Sequence, residues 1–153
     1  QGLLISADAL WEHGFGVVFP ELEGLAGFDD VAATLDLIEQ LQPQTIIPGH
    51  GRVFTDTATA LQRARSRLEA FARTPDKHAR YGAKVLLKFK LQEFGRIARA
   101  DFLSWAQAVP YLQSLHQRYG TGTPMTLWIE QMLADLHQSG ALADDGQAVE
   151  DLA

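Results

Sequence analysis

Two short apolar runs on either side of one amphipathic helix constrain this chain more than any other feature. Gly2-Leu3-Leu4-Ile5-Ser6-Ala7 is too brief for a helix and stops at the polar Asp8, which predicts a short buried strand. Thr45-Ile46-Ile47 is a second, β-branched run, and it ends in Pro48-Gly49-His50-Gly51, where two glycines flank a histidine in a tight loop. Between the two runs, Asp29 or Asp30 can cap a helix whose apolar stripe is Val31, Leu35, Ile38 and Leu41, with Pro43 as its stop. Strand, loop, helix, strand in this order predicts a βαβ unit with parallel strands. Ligands of such units bind in the loops beyond the carboxyl ends of the strands, and both Asp8 and His50 occupy that position.

Residues 11–28 read as a long loop carrying Gly14, Gly16, Gly24, Gly27 and Pro20, and long structureless loops are usually functional or mobile. A further amphipathic helix is predicted from Thr57 to Arg73, with Leu61, Ala64, Leu68 and Phe71 inward. Thr74-Pro75-Asp76 ends it, and the hydrophobic periodicity restarts at Tyr81, which places a domain boundary between 1–76 and 77–153. The second domain reads as mainly helical. One helix uses Leu87, Leu91 and Phe94 and stops at Gly95; Arg96-Ile97-Ala98 is a candidate short strand; a helical stretch from Asp101 to Tyr119 is interrupted by Pro110; another helix runs from Pro124 to about Ser139. Two short strands around the Asp145-Gly146 turn complete it. The expected class is therefore α+β and mostly helical. The chain starts within an apolar run without a leading turn, so a piece of a longer protein is expected.

The sequence has no cysteine, which excludes a disulfide scaffold, a thiolate nucleophile and any Cys-ligated metal. Any metal must bind His, Asp or Glu. Apolar runs such as Val85-Leu86-Leu87 are far too short to span a bilayer, and no leader pattern opens the chain, so a cytoplasmic protein is expected. The formal net charge of −6 hides three blocks. Residues 1–50 hold eight acids and no Lys or Arg, residues 51–99 hold twelve basic residues against four acids, and residues 100–153 hold Arg118 alone against seven acids. The basic block can receive an anionic substrate or RNA, or it can dock against the acidic first block.

The strand-terminal Asp8, followed some forty residues later by Pro48-Gly49-His50-Gly51, resembles the second half of the metallo-β-lactamase superfamily. The resemblance implies the C-terminal half of an αββα sandwich in which Asp8 bridges two metal ions and His50 binds one. Three helices and a hairpin after residue 77 resemble the winged-helix-like extension of one subgroup. The chemistry suits those residue types: a carboxylate can bridge cations, neutral imidazole is a zinc ligand, and the glycines beside His50 let its ring approach an ion. Two zinc ions would supply the hydroxide that cleaves a thioester, ester or lactone.

The family's upstream His-x-His-x-Asp-His motif is absent, and no two of His13, His50, His78, His116 and His137 stand two residues apart. With two of the expected ligands, this portion alone is expected to hold zinc incompletely or not at all and to be inactive, with a missing N-terminal half as its partner. No residue is assigned as catalytic. Trp11, His13 and Phe15 are candidates for the substrate cleft, while His78, His116 and His137 read as surface or core residues. Half a sandwich leaves apolar surface uncovered, so a homodimer is a further expectation. A DNA-reading role is disfavoured by Glu130, Asp135, Asp144 and Asp145 on the third helix and the wing. The alternatives are a non-catalytic protein- or RNA-binding module and a ribonuclease-type member of the same superfamily.

Overall fold

The first strand, β1 (Leu3–Ala7), and the second, β2 (Thr45–Pro48), lie parallel, with Leu3 opposite Thr45, Leu4 opposite Ile46 and Ile5 opposite Ile47. A register shift after Ile5 brings Ala7 opposite Pro48. The computed structural model describes residues 2–120 and 122–152, which divide into two compact units on either side of the Pro75–Asp76 bond. Seven helices and five strands are present among the described residues, so the chain is mixed α+β and mostly helical. No helix among them is long and apolar enough to cross a membrane.

In the first unit the crossover between the strands runs through α1 (Phe19–Leu22) and α2 (Phe28–Leu41), and α3 (Thr57–Arg73) follows β2. Leu35 and Ile38 of α2, Ile46 of β2 and Ala60, Leu61 and Ala64 of α3 are buried. The Asp56 carboxylate caps α3 by accepting from the Thr59 N–H at 3.1 Å. For α2 the expected aspartate cap is not used. Gly27 occupies the cap position, and Glu21 from α1 accepts the Gly27 and Phe28 N–H groups at 2.9 and 3.0 Å. A carboxylate there satisfies orphan donors and suits the positive end of the helix. The helix ends one residue before Pro43, where Gln42 turns left-handed at φ 46°.

β1 departs from the expected buried strand. Leu3 and Ile5 are 63% and 71% exposed, whereas Ser6 is buried. Side chains alternate along a strand, and in this two-stranded sheet the side carrying Ser6 and Ile46 is buried while the side carrying Leu3 and Ile5 stays open. Another departure concerns the break at residue 75. Pro75 begins α4 (Pro75–Phe94) directly, six residues before the predicted restart at Tyr81. Proline is well suited to a helix's first turn because its missing N–H would have no partner there anyway.

The second unit continues with β3 (Arg96–Ala98), α5 (Arg99–Ala108), α6 (Pro110–Tyr119), α7 (Met125–Gln138), β4 (Leu142–Asp144) and β5 (Ala148–Asp151). β5 is the central strand of an antiparallel sheet ordered β3-β5-β4, with Ile97 opposite Val149. Leu87, Leu91, Phe102, Leu112, Ile129 and Met132 are fully buried and form its core. Lys88 fastens α4 to the carboxyl end of the sheet: its ammonium pairs with Asp151 and donates to the Ala141 and Leu152 carbonyls at 2.5 and 2.9 Å.

Within each unit, residues of the basic block pair with carboxylates. Arg65 meets Asp36 and Glu39 at 2.6 and 2.9 Å in the first. In the second, Arg80 and Lys84 share Asp135 at 3.1 and 3.3 Å, Arg96 meets Asp145 and Glu150, and Arg99 sits between Asp144 and Glu130. The acids that meet the basic block thus come from both flanking blocks rather than from the first alone. Burial would raise the Asp135 carboxyl, but its bonds with Arg80 and Lys84 outweigh that and hold it below the usual carboxylate range. A depressed folded value contributes stability that is complete above about pH 4 and is lost as the pH falls through the folded value. The urea midpoint of the second unit is therefore expected to drop on acidification from about pH 5 to pH 2, and Asp135→Asn is expected to lower it at pH 7 and to flatten its acid dependence. Equal acid slopes in the two proteins would contradict this.

Candidate functional site

The site begins with a backbone distortion at the end of β1. Ala7 adopts a left-handed conformation at φ 46°, which costs a non-glycine residue about 1 kcal/mol or more. The surrounding bonds hold it there. The Ala9 N–H donates to the Ser6 carbonyl at 2.9 Å, the buried Ser6 hydroxyl donates to the Leu10 carbonyl at 2.6 Å, and the Gly49 N–H donates to the Ala7 carbonyl at 2.7 Å. The Gly16 N–H reaches the Asp8 carbonyl at 2.9 Å. Asp8 is consequently fixed from its own turn, from the glycine loop and from the β2 turn at once.

Gly49 permits this approach. A Cβ there would stand 2.7 Å from Asp8 Oδ1, closer than real side chains come, and 3.1 Å from the Ala7 carbonyl carbon, tighter than most. The next residue, His50, places Nε2 3.7 Å from Asp8 Oδ1, too far for a hydrogen bond. Both side chains remain open to solvent, at 70% for His50 and 64% for Asp8. Trp11 completes the cluster. Its Nε1–H donates to Asp8 Oδ1 and to the Ala7 carbonyl, each at 3.2 Å, and its ring meets the His50 imidazole edge-on at a centroid distance of 5.1 Å.

The other cleft candidates lie elsewhere in the first unit. His13 Nδ1 is 3.3 Å from Arg63 Nη1, and its Nε2 lies 3.9 Å from the Glu12 carboxylate, both on the α3 side of the loop. Phe15 is only 2% exposed and packs edge-to-face on Phe71 at 6.2 Å, with the Arg67 guanidinium 5.6 Å from its ring centre. It is a core residue under the loop, though it also forms a wall of a cavity of about 300 Å³ that Asp8 lines from another side. Of the remaining histidines, His78 is buried, His116 bonds the Thr123 carbonyl at 2.7 Å and His137 bonds the Leu142 carbonyl at 3.2 Å.

Asp8 and His50 have the donor types and spacing of part of a zinc shell. Two ligands at roughly 2.0–2.2 Å from one tetrahedral zinc stand roughly 3.3–3.6 Å apart, within a few tenths of an ångström of the separation found. A full site needs about three or four protein ligands, and no group of three or more His, Asp and Glu gathers among the described residues. The residues present therefore fit one part of a metal site and do not complete it. Trp11 in its role as donor to Asp8, and Glu21 as the clamp on the loop, are not apparent in the sequence. Neither has a periodicity or a motif to mark it.

No family model matches this chain, and no curated protein sequence matches it significantly. The packing around Gly49 yields a direct test. Gly49→Ala is expected to cost about 1–3 kcal/mol through overpacking and to shift Trp11 fluorescence, because Asp8 must move. Gly51→Ala, where nothing lies within 4 Å but φ is +92°, is expected to cost stability without that fluorescence change. Unchanged stability and fluorescence in Gly49→Ala would refute the account of the turn.

Proposed function

We propose that this chain is the C-terminal portion of a zinc-dependent hydrolase of the metallo-β-lactamase fold that cleaves a thioester, ester or lactone. The observation that carries the reading is the Asp8–His50 pair, 3.7 Å apart at the carboxyl ends of adjacent parallel strands. An upstream half supplies the remaining ligands and covers the open side of the sheet at Leu3 and Ile5; without it, the same apolar side favours self-association. The second unit is a winged-helix-like domain, a reading supported by its helix, strand, helices and hairpin order and by the β3-β5-β4 sheet.

Asp8 and His50 would hold zinc, whose chemistry there would be to furnish a hydroxide near neutral pH and to polarise a carbonyl oxygen. The chain's own contribution is positional. Asp8 and His50 bind metal, and the Trp11 indole N–H fixes the Asp8 carboxylate as an outer-shell hydrogen bond does in metal sites generally. The strained Ala7 turn and the Gly49 contact hold the two ligands together before any metal arrives. A nucleic-acid-binding role has weaker support, since Arg65, Arg80, Arg96 and Arg99 are engaged by carboxylates rather than presented to phosphates.

Zinc content of the protein extended upstream tests this. About two zinc ions per chain are expected, falling at least tenfold in affinity with Asp8→Ala or His50→Ala, while residues 1–153 alone bind zinc weakly. An extended protein that binds no zinc, or binds it equally well in both variants, overturns the proposal.

A further inference from the structure

The cavity beside Asp8 has a composition that selects its occupant. Its volume, about 300 Å³, lies at the lower end of ligand pockets, which span roughly 300–1,000 Å³. Phe15, Val18, Pro20 and Val31 form apolar walls, and the ionisable residues on the lining are Asp8 and Asp30, both open to solvent. Among the described residues no Lys, Arg or His lines it.

The walls are held in place. Glu21 binds the Gly27 and Phe28 N–H groups, which closes the chain from α1 back onto the start of α2. Gly27 is close enough to Val18 that a Cβ at residue 27 would stand 2.7 Å from Val18 Cγ1. A pocket with these walls exists before a ligand enters.

We infer that this cavity receives an uncharged aliphatic or aryl group, the acyl side of an ester or thioester whose carbonyl is presented towards Asp8. A carboxylate or phosphate seated against these walls would give up part of its hydration to apolar side chains and would stand near two carboxylate residues, with no cation among the lining residues. An alkyl or aryl group loses only its own apolar hydration. The role of the group as substrate rests on the hydrolase reading above, whereas its binding does not.

The test therefore uses the 153-residue chain without metal. Hexanamide and hexanoate, equal in length and differing in charge, are titrated at pH 7 and followed by amide and methyl NMR signals. Hexanamide is expected to shift Phe15, Val18 and Val31 saturably, with hexanoate at least tenfold weaker. Val31→Phe, which fills the cavity, is expected to abolish the shifts, and Asp30→Asn is expected to narrow the gap by improving hexanoate alone. Equal binding of the two probes, shifts centred elsewhere, or no hexanamide binding by a chain whose spectrum is folded would each overturn the inference. Because no metal is present, these outcomes leave the zinc result untouched, and a failed zinc experiment leaves hexanamide binding untouched.

Discussion

The hydrogen bond from the Gly49 N–H to the Ala7 carbonyl joins the ends of two strands that pair in regular parallel register only as far as Ile5 and Ile47. Past that point the register shifts, Ala7 turns left-handed and Asp8 is aimed at the residue that follows Gly49. A side chain at residue 49 would displace Asp8 Oδ1 and crowd the Ala7 backbone carbonyl at 3.1–3.2 Å, so the contact is fitted to glycine. The strain at Ala7 is offset by the Ser6, Ala9 and Gly16 bonds around it. Local strain of this kind is usually retained where it positions something, and here it positions a carboxylate beside an imidazole.

The rest of the first unit supports that junction. α2 and α3 pack on one another and bury Leu35, Ile38, Ala60, Leu61 and Ala64, and the loop between β1 and α2 is closed by Glu21. The side of the strand pair with Leu3 and Ile5 is left apolar and uncovered. An aspartate–histidine pair 3.7 Å apart and a sheet with one side uncovered are independent observations, and the proposed upstream half would account for both.

Much of this was legible in the sequence because it is governed by local rules. The two apolar runs, the α2 helix, the Pro-Gly-His-Gly turn and the Asp-Gly turn of the last hairpin each carry a periodicity or a turn residue that dictates conformation, although of the expected α2 stripe only Leu35 and Ile38 are buried and Leu41 is 58% exposed. What was not legible depends on partners distant in the chain. Whether β1 is buried depends on what packs against it, and Leu3 and Ile5 look the same in either case. The cap of α2 comes from Glu21, six residues before Gly27, so nothing near Asp29 and Asp30 announces it. Pro75 reads equally as the end of one helix and the start of the next. Phe15 was recognisable as an aromatic in a glycine-containing loop, but its place under Arg67 and against Phe71 follows from α3.

The central claim is that Asp8 and His50 converge on one metal ion. The most direct measurement is an anomalous difference map at the zinc edge from crystals of the upstream-extended protein grown with zinc. The account predicts a peak bonded to both Asp8 Oδ1 or Oδ2 and His50 Nε2, at about 2.0–2.2 Å from each. A fully occupied zinc bound elsewhere, with Asp8 bonded only to Trp11 and His50 turned to solvent, would contradict it.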